Sequence, residues 1–113
     1  MHEFGIAQGL LDAVLAKAQE SRASRIDWIK LEIGVMSGVE EDALQFAFTA
    51  ISEGTIAEKA ELRIERIPVR CHCPACDRIF ECTPAAYHCP GCGGVSGDIR
   101  TGKEMNLVAM EIS

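Results

Sequence analysis

The residues best placed to do chemistry are cysteines. Six of them lie between Cys71 and Cys92, and four form two matching pairs, Cys73-Pro-Ala-Cys76 and Cys89-Pro-Gly-Cys92. Each pair makes a tight turn, here termed a knuckle, that aims two thiolates at one point. Two facing knuckles enclose a four-sulfur tetrahedron, the geometry zinc favours in closed structural sites. Such a site has no open coordination position, so Cys73, Cys76, Cys89 and Cys92 predict a structural Zn(II) that performs no catalysis. Redox dithiols are the competing reading, and two pairs at knuckle spacing argue against it. Cys71 and Cys82 are left over. Cys71 stands two residues before the first knuckle, where it could replace Cys73 as ligand, and Cys82 reads as a buried apolar thiol in a hairpin. His72 and His88 read as neighbours of the site, with exchange for a thiolate at low pH as a second reading.

A second donor set stands at the start of the chain, Met1-His2-Glu3. No basic, small-residue-terminated leader precedes it, so it reads as the mature N-terminus, and bulky His2 should hinder removal of Met1. An α-amine with a pKa of about 7.7–8.0 gives a neutral nitrogen at modest cost. The His2 imidazole and the intervening peptide nitrogens add further donors, and Glu3 can add an oxygen or orient the site. Nitrogen donors in adjacent chelate rings suit square-planar or tetragonal Ni(II) or Cu(II). A frayed, solvated terminus is the plainer reading of the same residues.

Composition narrows the partners. The formal charge is −6, and a zinc held by four thiolates adds about −2 more. Between Cys71 and Arg100 the cations are Arg78 and Arg100, against Asp77, Glu81 and Asp98. This is not the clustered basic surface of a nucleic-acid binder. No apolar run approaches membrane-spanning length, so neither nucleic acid nor a membrane is an expected partner. Cysteines at knuckle spacing in a chain without an export signal predict a reduced, cytoplasmic location. There is no His-Glu-x-x-His, no nucleophile elbow and no phosphate loop, so the chain reads as a binding protein and not an enzyme.

The elements that must carry these groups follow from periodicity. Ala7, Leu10, Leu11, Val14, Leu15 and Ala18 form an apolar stripe on a helix over 4–20. Ile29, Leu31 and Ile33 alternate with Trp28, Lys30 and Glu32, predicting a half-buried strand over 26–33. Ser37-Gly-Val-Glu40 fits a capping box that opens a second helix, running to about Ser52 with Leu44, Ala47, Phe48 and Ile51 inward. Glu61 to Glu65 predicts a second strand, ended by Pro68. Glu104 to Ile112 predicts a third, whose adjacent apolar residues suggest a more buried position than its partners have. The expected fold is α+β: a small three-stranded sheet with two helices, interrupted by a four-cysteine zinc-ribbon-like subdomain. The expected domains are 1–69 with 101–113 and, between them, 70–100, joined through 66–70 and 94–102.

The order of motifs is specific. Met1-His2-Glu3, Leu31-Glu-Ile-Gly34, Val39-Glu40 leading into Ala43-Leu-Gln-Phe-Ala-Phe48, Gly54-Thr-Ile-Ala-Glu58, the two knuckles and Gly102-Lys-Glu-Met-Asn-Leu107 follow one another along the whole chain. In this the sequence resembles the HypA/HybF family of hydrogenase maturation nickel chaperones. The resemblance implies a Ni(II) site at the Met1 amine, His2 and Glu3, with Glu40 where some members place an additional acidic ligand, and zinc at Cys73, Cys76, Cys89 and Cys92. It implies delivery of nickel to the NiFe hydrogenase large subunit together with a HypB-like GTPase. It also brings urease maturation proteins and a second copy of the chain among the expected partners. Cys71 and Cys82 depart from the usual family pattern. Two other classes stay open at this point: a zinc-ribbon module that binds nucleic acid or a polymerase, and a rubredoxin-like iron carrier.

Overall fold

The computed structural model describes residues 2–82 and 87–113; Met1 and the side chain of His2 lie outside the described residues. The order of elements is α1 (His2–Glu20), β1 (Ile26–Gly34), α2 (Glu41–Ser52), β2 (Glu61–Ile67), β3 (Arg70–Cys73), β4 (Arg78–Glu81), β5 (Ile99–Thr101) and β6 (Met105–Ile112). The strands form two three-stranded sheets, ordered β2-β1-β6 and β4-β3-β5. The architecture is α+β, as the sequence patterns require. Contacts divide the chain into two compact units, 1–31 with 39–65 and 106–113, and 32–38 with 66–105.

In the first unit most of the helical stripe is buried: Ala7, Leu10, Leu11, Val14 and Ala18 are inside, and Leu15 is half-buried at its margin. α1 packs on α2, which buries Leu44, Ala47 and Phe48. β1 takes the centre of its sheet and contributes the fully buried Ile26, Ile29 and Leu31. Trp28 faces the other way, with the Arg63 guanidinium 4.6 Å above its ring. Helix α1 begins at His2 instead of residue 4, because Glu3 in its first turn complements the helix dipole.

Two expectations are corrected. The cap of α2 is Glu40, not Ser37: its Oε2 accepts a hydrogen bond from the Ala43 N–H at 2.7 Å. A carboxylate there satisfies an otherwise unpaired amide and meets the positive end of the dipole. The N–H of Ser37 instead closes a turn onto the Gly34 carbonyl. The last strand is also not the more buried one. β6 lies at the sheet edge, and Met105, Leu107 and Val108 are 41%, 39% and 48% exposed. The adjacent apolar residues reflect an edge strand with little cover, since β1 occupies the central place.

In the second unit, β3 and β4 form a hairpin with Cys71 opposite Phe80, His72 opposite Ile79 and Cys73 opposite Arg78. β5 joins the other side of β3, so part of the stretch expected to be a connection is a strand. Two glycines make the frame possible. A Cβ on Gly34 would fall 2.1 Å from the carbonyl carbon of Gly102, and Gly102 itself has φ +114°, a region that favours glycine. The Met36 N–H donates to the Gly102 carbonyl at 2.7 Å, and the Gly34 N–H donates to that of Glu104 at 2.8 Å.

Candidate metal sites

The four cysteines of the knuckles converge. Their Sγ atoms all lie within 4.8 Å of one another, with Cys73 to Cys92 at 3.5 Å and Cys76 to Cys89 at 3.4 Å. Zinc–sulfur bonds of about 2.3 Å set tetrahedron edges of about 3.8 Å, so the arrangement fits one tetrahedral ion. The donor set fits equally well, since soft thiolates in a tetrahedral array select zinc or iron over harder ions. Cys73 and Cys89 are buried, while Cys76 and Cys92 reach the surface.

Local backbone explains the aim of the thiols. The residue after each knuckle takes the left-handed conformation, Asp77 at φ 53° and Gly93 at φ 75°. Glycine and, with less ease, aspartate tolerate this turn. In the second knuckle the Gly93 N–H donates to the Cys89 carbonyl at 2.8 Å, and the Cys89 N–H donates to that of Gly94 at 2.8 Å. Cys73, at the end of β3, shares its buried face with Val69 and Cys71, so the hairpin sets its direction.

Proton affinity is uneven across the cluster. Hydrogen bonds to Cys89 and Cys73, followed by burial, push the Cys76 thiol up to about 12. Burial also raises Cys89, but the backbone N–H groups of Cys92 and Gly91 outweigh it and bring that thiol down to about 6. The Cys89 sulfur therefore carries negative charge at neutral pH while Cys76 keeps its proton, which an incoming cation must displace.

Arg78 is a participant that spacing alone did not reveal. It stands opposite Cys73 in the hairpin, on the same side, and its guanidinium lies against the second knuckle. A Cβ on Gly91 would come within 2.7 Å of the guanidinium carbon. Gly91 thus makes room for a cation beside four sulfurs. The signal available in the sequence was its position as one of two cations in the segment; the other, Arg100, is engaged by Asp98 at 2.8 Å.

His72 points away from the sulfurs. It alternates with Cys71 and Cys73 on β3, and its ring nitrogens meet Asp77 at 2.7 Å and Asp98 at 3.4 Å. Exchange of His72 for a thiolate would require β3 to turn over. The His88 Nδ1 lies 3.4 Å from the Gly93 carbonyl.

At the other donor set, the structure brings Glu3 and Glu40 together: the Glu40 N–H donates to Glu3 Oε2 at 3.3 Å. The Glu3 carboxylate therefore meets the backbone that caps α2, while the Glu40 carboxylate itself is turned to the Ala43 N–H. Met1 and the His2 side chain lie outside the described residues, so the terminal set is represented by Glu3 and by His2 as the first residue of α1.

Comparison with known proteins agrees over the whole chain. A family model described as "Hydrogenase/urease nickel incorporation, metallochaperone, hypA" matches residues 1–112. The hydrogenase maturation factor HypA of Picosynechococcus sp. is 41% identical over 112 residues, covering 99% of both chains. That of Chloroflexus aggregans is 40% identical, covering 98% of both. Among solved structures, a solution structure of a HypA protein matches with a TM-score of 0.74 and 25% identity, over 100% of this chain and 97% of that one. The solution structure of the nickel metallochaperone HypA from Helicobacter pylori matches with a TM-score of 0.66 over 97% and 96%. At 23% identity, that second match speaks for the fold alone. With its α+β fold, its four convergent cysteines and a match from the first residue almost to the last, the chain belongs to the HypA family of hydrogenase and urease nickel-incorporation metallochaperones.

Proposed function

We propose that this protein takes up Ni(II) through the Met1 amine, His2 and Glu3 and hands it on during maturation of NiFe hydrogenase. Cys73, Cys76, Cys89 and Cys92 hold a structural Zn(II). The observation that carries the nickel reading is the placement of the Glu3 carboxylate in the first turn of α1, held there by the Glu40 backbone N–H. A carboxylate beside an amine, an imidazole and peptide nitrogens completes a mixed N,O donor set suited to Ni(II). The peptide nitrogens of a helix's first turn have no intrahelical acceptor, so the backbone there is available to a metal. The Glu40 backbone N–H steadies Glu3, while its carboxylate caps α2.

The proposed cycle is one of binding and release, without catalysis. The amine and the imidazole take up protons near neutral pH, so nickel competes with protons and the site empties as pH falls. The zinc cage closes on itself and supplies shape. A cytoplasmic setting, a HypB-like GTPase, the hydrogenase large subunit and urease maturation proteins are the partners and place this function requires. Self-association into a homodimer belongs to the same proposal. A zinc-ribbon role on nucleic acid has no support in the charge of the segment, where the Arg100 guanidinium is engaged by Asp98.

Isothermal titration of the untagged protein with Ni(II), alongside His2→Ala, tests the reading. One equivalent bound by the native chain and lost in the variant is expected; equal affinity in both removes the terminal site. Elemental analysis of the purified protein should find one zinc per chain and no iron.

A further inference from the structure

Cys71 and Cys82 belong neither to the four-sulfur cluster nor to the terminal donor set, yet they are not separate. Cys71 on β3 faces Phe80 on β4, so Cys82, two residues on, is its diagonal neighbour on the same face. Both point into the core of the second unit, with Val69, Phe80 and the buried knuckle cysteines. Their Sγ atoms are 3.0 Å apart, inside ordinary sulfur–sulfur contact. The two thiols share a hydrogen bond, so Cys82 is a partnered group and not merely a filler of apolar space. A disulfide bond of about 2.03–2.05 Å needs the two atoms to close by only about 1 Å. Backbone hydrogen bonding holds the pair in register, since the Cys82 N–H donates to the Val69 carbonyl at 3.0 Å.

We infer that Cys71 and Cys82 form a dedicated dithiol–disulfide site, oxidised by small disulfides without dismantling the four-cysteine cluster. Cys82 is the point of entry, being 7% exposed where Cys71 is fully buried. Its sulfur attacks a glutathione disulfide and expels one glutathione thiolate, leaving a mixed disulfide. The Cys71 sulfur then attacks the Cys82 sulfur, and the second glutathione leaves. In balance, two protein S–H bonds become one S–S bond, and one glutathione disulfide becomes two glutathione thiols. The knuckle sulfurs are excluded because a bound cation occupies their lone pairs. The bridge would close the base of a loop that contains Cys73 and Cys76, so oxidation restrains the first knuckle and slows escape of its metal.

The inference is independent of nickel, but its selectivity rests on the cluster being loaded with zinc. The experiment equilibrates the zinc-loaded full chain in glutathione buffers from fully reduced to fully oxidised, then reads native mass and peptide maps. The expected product is two hydrogens lighter, retains zinc and yields a single Cys71–Cys82 cross-linked peptide. It reverts with excess dithiothreitol and loses zinc to a chelator more slowly than the reduced form. Cys82→Ser should give no such species; if that variant fails to fold, Cys71→Ala serves, and the native peptide map stands by itself. An unchanged mass at the oxidised extreme, a persistent glutathione adduct, or oxidation that links knuckle cysteines with loss of zinc overturns the inference. Should the purified protein hold no zinc, the zinc assignment fails, and the cross-linked peptide still reports on the pair.

Discussion

The two donor sets of this chain follow opposite designs. The four-cysteine cluster draws its atoms from two turns separated in sequence, the first being the turn of the β3–β4 hairpin, and its sulfurs lie within 4.8 Å of one another. The proposed terminal set is consecutive, and its Glu3, in the first turn of α1, has the remote Glu40 backbone as a neighbour. A site assembled by the fold can release its ion only when the fold yields. A site built from neighbouring residues needs little of the fold and can open by fraying one helical turn. The proposed function thus assigns retention and transfer to different parts of the chain.

The comparison breaks most readily through zinc. Cys89→Ala should lose the ion and, with it, the fixed structure of 66–105, because structural zinc supplies on the order of 10 kcal/mol of folding free energy in small modules. Amide dispersion in nitrogen–proton NMR spectra should collapse for these residues and persist for α1. Uniform loss across the chain would deny the contrast. The frame of the same unit can also be attacked without touching a thiol. Gly34→Ala drives a methyl group into the Gly102 backbone and should cost about 3 kcal/mol in urea unfolding, the upper range for overpacking.

At the terminal set, His2→Ala should weaken nickel by at least the roughly 10–100-fold that removal of even an outer partner costs, with zinc content unchanged. If zinc falls in parallel, the two sites are not independent. Proton counting sharpens the contrast further. Zinc loading at neutral pH should release protons, since the Cys76 thiol is pushed up to about 12 and still carries one, whereas Cys89, near 6, does not. Zinc binding therefore strengthens as pH rises. Calorimetry in buffers of different ionisation enthalpy gives the count, and no proton release would refute the uneven sharing. The smallest effect is expected at Arg78. Arg78→Gln, or Gly91→Ala, which displaces the guanidinium, should speed zinc loss to a chelator, and the difference should shrink in high salt. A rate independent of both changes would reduce the contact to packing.

The knuckles were legible because their information is local: proline and cysteine at fixed spacing define the turn and the donor atoms together. The helical stripe from Ala7 to Ala18 and the alternation from Ile29 to Ile33 were legible for the same reason. The cap of α2 was not. Ser37 is the preferred cap type, but it closes a turn onto Gly34, and Glu40 stands immediately before α2 and accepts from the Ala43 N–H. The exposure of β6 is not legible in the sequence, because an apolar run reads alike in a central and an edge strand, and strand order is a property of the sheet.

Along the chain alone, residue types and spacing determined which atoms could bind metal, which segments would be helical or extended, and the family to which the motifs belong. Tertiary structure decided that Glu3 lies against Glu40, that Arg78 rests on Gly91, that Gly34 and Gly102 meet backbone to backbone, and that Cys71 touches Cys82. The physical reason is range. Turn chemistry and periodicity act over a few residues, whereas these four meetings join segments whose approach is set by packing and strand pairing.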